Sequence, residues 1–255
     1  MSRRARSLSE QSLRRIGLSA PLSGFVERAA DTADIRLEKV SVLWHCNAMN
    51  GPPIPSEDRY DSVAPRWGDK MRTLGYYDAY LGFITDGEEP AHRRVRVIDI
   101  GAGTAAFSEA WIASRGRPAS ITLLDPSRGM LERSDFALRR RGVEPLLVQG
   151  LLGAVDVEVF DVALASHVIE HCDDPKAALR EISELLSPGG LLYLVFSKPH
   201  WCNAIIWLQW RHRTFQKEHM LELLTEVGFE VERTYAFPAG PPSRTSMGIV
   251  AVKSS

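Results

Sequence analysis

Cysteine is scarce in this 255-residue sequence, which has only Cys46, Cys172 and Cys202 and no CxxC pair. The spacing indicates neither a disulfide framework nor a zinc site, and we expect no metal. An excess of charge of one sign is also missing, because 31 basic residues face 32 acidic ones. This balance argues against nucleic acid as the partner. No apolar run is long enough to span a bilayer, so stable membrane insertion is not expected.

The N-terminal stretch 2–16 contains five arginines and one acid, Glu10. Its composition is typical either of an organelle transit segment or of a flexible tail, and we favour the tail. A breaker cluster follows at 50–56. We therefore predict a partly flexible extension at 1–56 and one domain at 57–255, with a leading cap helix at 57–84. The expected compartment is the cytoplasm. The sequence leaves open whether the extension covers an active site or mediates contacts in a homodimer.

Short apolar runs alternate with helical patterns from residue 95 onward. Such alternation predicts a mainly parallel sheet with helices on both faces, in which ligands bind at the carboxyl ends of the strands. The predicted strands are 95–100, 120–125, 145–149, 160–165, 191–196, 230–236 and 247–252. The predicted helices include 106–114, 175–186, capped by Asp174, and 217–227. The segment 238–246 is predicted to be an irregular loop.

A glycine-rich turn follows the first predicted strand, in the sequence VIDIGAGTA at 97–105. Glycine has no Cβ, so Gly101 and Gly103 allow a ligand to approach the backbone closely. The helix predicted after them offers free N–H groups. The third glycine that is common in such turns is replaced by Ala105. A Gly-x-Gly turn occurs in many α/β proteins, so it indicates a nucleotide-like ligand without identifying it.

The second predicted strand ends in an acid, Asp125, in the sequence ITLLDPS at 121–127. In a Rossmann-type sheet, an acid at this place accepts hydrogen bonds from a ribose diol. Asp99 and Asp125 together fit an adenosine ligand with an amino-acid tail rather than a pyrophosphate. The alternative is that Asp125 only caps the turn at Pro126 and Ser127.

Two longer segments carry a family resemblance. The sequence FDVALASHVIEHCDDPKAALREISELLSPGGLLYLVF at 160–196 closely resembles the second half of class I S-adenosylmethionine-dependent methyltransferases. VIDIGAGTAAFSEAW and ITLLDPSRGML resemble the first and second motifs of that family. The resemblance implies an α/β, Rossmann-like sheet of seven mostly parallel strands, the last one antiparallel, with helices on both faces. It also implies S-adenosyl-L-methionine as the cofactor.

The resemblance further implies a set of cofactor-binding residues at the strand ends. Asp99, Gly101 and Gly103 would lie at the methionine part, and Asp125 at the ribose. The full set is Tyr60, Asp99, Gly101, Gly103, Asp125, Pro126, Gly150, Leu151, Ser166 and His167. Relatives often have an acid beside the adenine amine, but this chain has GLLG at 150–153.

Three histidines are candidates for a general base, which is needed only if the acceptor must lose a proton. We predict His167 and His200 as catalytic residues. His171 is a weaker candidate, because it is expected to lie in the loop or to cap the following helix. The alternative for His167 is packing beside the cofactor, and for His200 a solvated loop position.

The segment 198–213 is predicted to cover the substrate, with Trp201, Arg211 and Arg244 as substrate-binding residues. An apolar or aromatic acceptor with an anionic group would suit them. A lipid-facing surface and a buried helix remain alternatives for this segment.

The function predicted from these motifs is methyl transfer to a small molecule. One alternative is an enzyme that cyclises or cleaves S-adenosylmethionine itself, and another is an RNA-directed methyltransferase. A catalytically silent binding module is a third, although the intact Asp99 and Asp125 argue against it. A nicotinamide dehydrogenase is disfavoured because the third glycine is absent.

Overall fold

A computed structural model describes residues 57–87, 95–155, 159–200 and 213–254. The predicted extension at 1–56 lies outside these ranges. The strands are β1 Arg96–Ile100, β2 Ser120–Asp125, β3 Leu146–Gln149, β4 Phe160–Ser166, β5 Leu186–Ser197, β6 Phe229–Tyr235 and β7 Ser246–Lys253. The helices are α1 Glu57–Thr73, α2 Tyr76–Thr85, α3 Ala106–Arg115, α4 Arg128–Arg140, α5 Pro175–Leu185, α6 Lys217–Glu226 and α7 Gly240–Thr245, with a 3-10 turn at Ile169–His171.

The seven strands form one sheet in the order β3-β2-β1-β4-β5-β7-β6. The first five strands pair in parallel, whereas β7 runs antiparallel to both β5 and β6. The prediction of a mostly parallel seven-stranded sheet with an antiparallel last strand is confirmed. The carboxyl ends of the parallel strands therefore meet at one edge, and β7 begins at that edge, with Ser246 opposite Ser197 of β5.

Two layers of apolar side chains cover the sheet. One layer includes Phe83 and Trp111 and packs α2 and α3 onto one face. The other includes Leu179 and Met220 and packs α5 and α6 onto the opposite face. Consecutive residues of a strand point to opposite faces, so Val97 joins the first layer and Ile98 the second. A sheet covered on both faces leaves its strand ends as the place for a ligand.

The leading helix predicted at 57–84 is in fact two helices. The chain turns at Gly75, which has a φ of 80° and separates α1 from α2. A left-handed residue ends a helix, and glycine adopts that conformation at little cost. The break allows Tyr80 and Phe83 of α2 to be buried in the core.

Two further predictions of local structure were wrong. The predicted helix 175–186 is present as α5, one residue shorter, but β5 begins at Leu186 rather than at residue 191. The predicted loop at 238–246 contains the short helix α7. Its two prolines lie at the start of the helix, where a missing N–H costs nothing and the fixed φ is already helical. The predicted cap of α5 is confirmed, since Asp174 accepts from the N–H groups of Lys176 and Ala177.

The helices are short. The longest in the described ranges is α1, with 17 residues and an internal proline, Pro65. None of the helices in those ranges is both long and apolar enough to cross a membrane.

Candidate functional site

The turn after β1 is built from three left-handed residues that alternate with ordinary ones. Gly101, Gly103 and Ala105 have φ angles of 64°, 53° and 65°. The N–H groups of Gly101 and Ala102 donate to the carbonyl oxygen of Leu124 on β2, at 2.8 and 3.1 Å. These bonds hold the turn against the neighbouring strand. Ala105 is fully buried and takes the conformation that the missing third glycine would have, so the turn forms despite the substitution.

We expect Gly101→Ala to lower the free energy of unfolding by about 2 kcal/mol or more, from backbone strain together with overpacking. A Cβ on Gly101 would lie 2.5 Å from Cγ2 of Val168, a β-branched residue that has little rotamer freedom. Gly189→Ala is the matched control, because Gly189 has a φ of 75° and no atom within 4 Å of the added Cβ. Urea unfolding measures both variants.

The steric overlap with Val168 can be measured separately from the backbone strain at Gly101. Adding Val168→Ala to Gly101→Ala is expected to recover part of the loss, whereas the strain term, common to both glycines, stays. Equal losses in the Gly101 and Gly189 variants would show that Val168 does not limit this position.

Asp125, at the end of β2, is buried and connects two turns. Its Oδ2 accepts from the N–H of Gly103 at 2.8 Å, and its Oδ1 accepts from the N–H of Ser127 at 2.9 Å. The turn-capping role is therefore present. It leaves a ribose-binding role open, because each carboxylate oxygen can accept more than one hydrogen bond. Burial raises the pKa of Asp125 to about 6, although the two backbone donors oppose that shift.

Asp99, in β1, is 1% exposed and accepts a hydrogen bond from the hydroxyl of Ser108 on α3. Burial raises the pKa of Asp99 to about 7, and the negative charge of Asp125 adds to this, while Ser108 opposes it. Two carboxylates with raised pKa values thus lie beside the glycine turn. Clusters of this kind are enriched at functional sites.

The other predicted cofactor residues lie at the same edge. The N–H of Gly150 donates to the carbonyl oxygen of Asp125 at 3.1 Å, and Leu151, next in the chain, is 46% exposed. The carbonyl oxygen of Pro126 accepts from the Gln149 side chain at 3.2 Å. Ser166, at the end of β4, shares a 2.6 Å hydrogen bond with the hydroxyl of Tyr80. The side chain of Tyr60 lies outside the described residues.

His167 is placed at the centre of a polar network. Its Nδ1 is 3.0 Å from Oε1 of Glu170 and 3.1 Å from Oγ of Ser197, and its Nε2 is 3.3 Å from Oγ of Ser246. The backbone is left-handed at His167, with a φ of 56°. The ring of Tyr76 meets the imidazole edge-on at 5.7 Å between centroids.

The structure describes three of the remaining predicted residues, His171, His200 and Arg244. His171 lies in the 3-10 turn, where burial lowers its pKa and the charge of Glu170 opposes that shift. His200 lies three residues after the end of β5. Arg244 is an exposed residue of α7. Trp201 and Arg211 lie outside the described residues. In the described ranges, no three His, Cys, Asp or Glu side chains form a group that could hold a metal ion.

Several residues of the site were missed by the sequence analysis. Glu170 follows His167 by three positions, so the H-x-x-E spacing was a usable signal. Ser197 and Ser246 had no comparable signal, because Ser197 reaches His167 through the pairing of β4 with β5 and Ser246 through the pairing of β5 with β7. Asp61 of α1 was also missed. It accepts from the hydroxyl of Ser127 and the N–H of Gly129, and so ties α1 to the start of α4.

A family model described as "Methyltransferase domain" matches residues 98–194. The match begins in β1, includes the glycine turn and Asp125, and ends in β5. Residues 98–194 are therefore similar to methyltransferase domains. The match agrees with the predicted resemblance to class I methyltransferases over this part of the chain.

The sequence is also similar to that of a ubiquinone biosynthesis O-methyltransferase from Caulobacter sp. strain K31. The two are 34% identical over 152 residues, which is 52% of this chain and 59% of the relative. The chain spans about half the length of the curated relatives it matches.

Two solved structures have the same fold. Magnesium protoporphyrin IX methyltransferase from Synechocystis PCC 6803, with bound S-adenosylhomocysteine, has a TM-score of 0.56 and 16% identity over 80% of this chain and 90% of its own. The [4+2]-cyclase SpnF has a TM-score of 0.62 and 17% identity over 81% of this chain and 99% of its own. Identities this low show the shared fold alone.

Proposed function

We propose that this chain transfers a methyl group from S-adenosylmethionine to an oxygen atom of a small molecule. The glycine turn 101–105 with Asp125 beside it, inside the matched methyltransferase domain, is the observation that carries the proposal. The relatives named as O-methyltransferases of ubiquinone biosynthesis support oxygen as the acceptor atom.

The residues at the sheet edge fit a nucleoside with an amino-acid tail. At Gly103 an added Cβ would make only ordinary contacts, with Nε1 of Trp67 at 3.9 Å and the carbonyl oxygen of Gly101 at 4.0 Å, so the turn is not closely packed there. Asp125 retains acceptor capacity for a ribose diol, and Asp99 provides a negative charge for an ammonium group. S-adenosylmethionine supplies an activated methyl group on a sulfonium. The chain's own contribution is to hold the reactants in line, exclude water and take up a proton.

The acceptor that we propose is apolar or aromatic and carries an anionic group. Arg244 of α7 is one residue before Thr245, whose side chain contacts Tyr76, and two before Ser246 at Nε2 of His167. An exposed arginine so close to the network is suited to a carboxylate or phosphate. Trp201 and Arg211 remain proposed substrate residues, as does His200 as a second base.

A second candidate is a reaction other than methyl transfer. The shared fold with a [4+2]-cyclase supports it, because the same sheet serves another reaction there. An enzyme that cyclises or cleaves S-adenosylmethionine is one form of this candidate. An RNA-directed methyltransferase is less favoured because the charges of the chain are balanced.

Calorimetry with S-adenosylmethionine and S-adenosylhomocysteine, followed by mass spectrometry of the incubated mixture, tests the proposal. We expect micromolar binding of both and an intact S-adenosylmethionine in the absence of acceptor. Breakdown to methylthioadenosine would favour the second candidate. No binding by a folded chain would contradict both.

A further inference from the structure

A buried polar cluster lies beside the proposed cofactor site, between the ends of β4 and β5 and the start of β7. Glu170 is 3% exposed, Ser197 4% and Ser246 0%. Burying three polar side chains is costly unless they bond to one another. All three converge on the imidazole of His167, at distances of 3.0 to 3.3 Å.

The cluster fixes the position of the proton on His167. Oε1 of Glu170 accepts from the N–H of Ser197 at 2.6 Å and faces Nδ1 of His167. Burial raises the pKa of Glu170, but several interactions together bring it below its usual value, and the hydrogen bond with His167 is the largest of them. Glu170 is therefore a carboxylate at neutral pH and can only accept. Nδ1 of His167 must then carry a proton, and in the neutral imidazole the lone pair is on Nε2.

On the Nε2 side of the His167 ring, the directions of the neighbouring hydrogen bonds can also be assigned. The Thr245 hydroxyl donates to the carbonyl oxygen of Pro241 at 3.0 Å, so the Tyr76 hydroxyl donates to Thr245 at 3.2 Å. The distance of 3.3 Å between Oγ of Ser246 and Nε2 of His167 is long for a hydrogen bond between a hydroxyl and a nitrogen. A hydroxyl that comes closer to Nε2 would compete with it. His167 has 23% of its side chain exposed, so the residue is partly accessible to a ligand.

Backbone strain supports a functional role for His167. A left-handed conformation is unfavourable for a non-glycine residue, and such residues cluster at active sites. The N–H of His167 donates to the carbonyl oxygen of Val195 at 2.8 Å, which holds the strained residue against β5. This bond holds the backbone of His167 and the carboxylate of Glu170 holds its ring, so the imidazole has a fixed orientation.

We propose that Glu170 is a positioning residue that keeps the proton of His167 on Nδ1, so that Nε2 removes the proton from a neutral hydroxyl group of the acceptor. The inference rests on the proposed methyl transfer and adds the substrate class, an alcohol, phenol or enol. The acceptor's O–H bond breaks as its oxygen bonds to the methyl carbon. The proton goes to Nε2, and the electron pair of the broken carbon–sulfur bond stays on sulfur. Imidazolium forms next to the carboxylate of Glu170, which stabilises it.

Nitrogen NMR of the full chain, labelled with ¹⁵N-histidine, tests the proton position without any acceptor. The His167→Asn variant identifies the resonances of His167. We expect the Nδ1–H tautomer in the wild type and in Ser246→Ala, because Glu170 still holds Nδ1. In Glu170→Ala, the Nε2–H tautomer should appear. Nε2–H in the wild type, or an unchanged tautomer in Glu170→Ala, would overturn the inference.

Binding of S-adenosylhomocysteine by each variant separates the positioning role of Glu170 from the proposed methyl transfer. Unchanged affinity in Glu170→Ala shows that the fold and cofactor site remain. Absence of binding in the wild type would contradict the proposed function, whereas the tautomer would still decide the inference.

Methyl transfer to catechol and 4-nitrocatechol tests the consequence for catalysis. With catechol, Glu170→Gln is expected to lower kcat about 100-fold, the scale of general-base catalysis, with little change in KM for the methyl donor. The loss should be smaller for 4-nitrocatechol, whose hydroxyl is more acidic. A merely structural role predicts equal losses for the two catechols, and preferred methylation of an amine would overturn the substrate class.

Discussion

Asp125→Asn is expected to weaken binding of S-adenosylhomocysteine by about tenfold to 100-fold at pH 7.5, which corresponds to ~1.5–3 kcal/mol for a hydrogen bond to a charged group. Asparagine has nearly the same shape and retains one acceptor oxygen. It can therefore preserve one of the two backbone bonds that Asp125 makes to Gly103 and Ser127. What it loses is the negative charge that would receive the ribose hydroxyls. Calorimetry at a fixed salt concentration measures the change.

The pH dependence of binding provides an independent readout of the same carboxylate. Because the pKa of Asp125 is raised to about 6, the group is mostly protonated at pH 5 and ionised at pH 7.5. Wild-type affinity should therefore rise over this interval, and the part of the rise due to Asp125 should be absent in Asp125→Asn. Asp161→Asn is the control, because Asp161 lies at the start of β4 and pairs with Arg96, away from the carboxyl ends of the strands. Unchanged affinity in a folded Asp125→Asn variant would contradict the proposed role.

The parts of the site that could be predicted are those encoded by neighbouring residues. β1, the glycine turn and α3 are consecutive, so VIDIGAGTA predicts both the local structure and its position at a strand end. Asp125 was predictable for the same reason, since the acid directly ends an apolar strand. Parallel strands then bring these two segments together without further information, because their carboxyl ends must lie at one edge.

The parts that could not be predicted depend on long-range register. Ser246 reaches His167 across 79 positions, through the antiparallel pairing of β7 with β5. A shift of one residue in that pairing would direct Ser246 to the other face of the sheet. The division of the leading helix at Gly75 was missed because one glycine in a helical pattern is tolerated often enough to be ambiguous. In this chain the helix divides at Gly75 because Tyr80 and Phe83 pack into the core.

The glycine turn and the His167 cluster share one physical feature. Both contain a non-glycine residue in the left-handed conformation, Ala105 and His167. The described ranges contain only these two, and both lie at the carboxyl edge of the sheet. Strain that recurs at one edge is expected where structure is retained for function rather than for stability.

Asp99→Asn is expected to make the chain more stable relative to the wild type as the pH rises from 5 to 8. An exposed aspartate has a pKa of about 3.9 in the unfolded chain, whereas burial raises the pKa of Asp99 to about 7 in the folded chain. The folded state therefore binds the proton more tightly, and the stability that this provides is lost as the pH rises towards 7. Asparagine resembles the protonated acid and can still accept from Ser108. The difference in free energy of unfolding between variant and wild type should shift by ~2–3 kcal/mol over this interval.

Urea unfolding at several pH values measures that difference, and Asp161→Asn again provides the control. The pKa of Asp161 is lowered by its hydrogen bonds and ion pair with Arg96, which outweigh its burial. Asp161 is therefore ionised in both states above pH 5, and its replacement should cost the same at every pH in the interval. A difference for Asp99→Asn that is equally flat would mean that Asp99 keeps its charge in the folded chain at pH 5. Saturating S-adenosylhomocysteine should reduce the shift, because its ammonium group near Asp99 would favour the ionised carboxylate and lower its pKa.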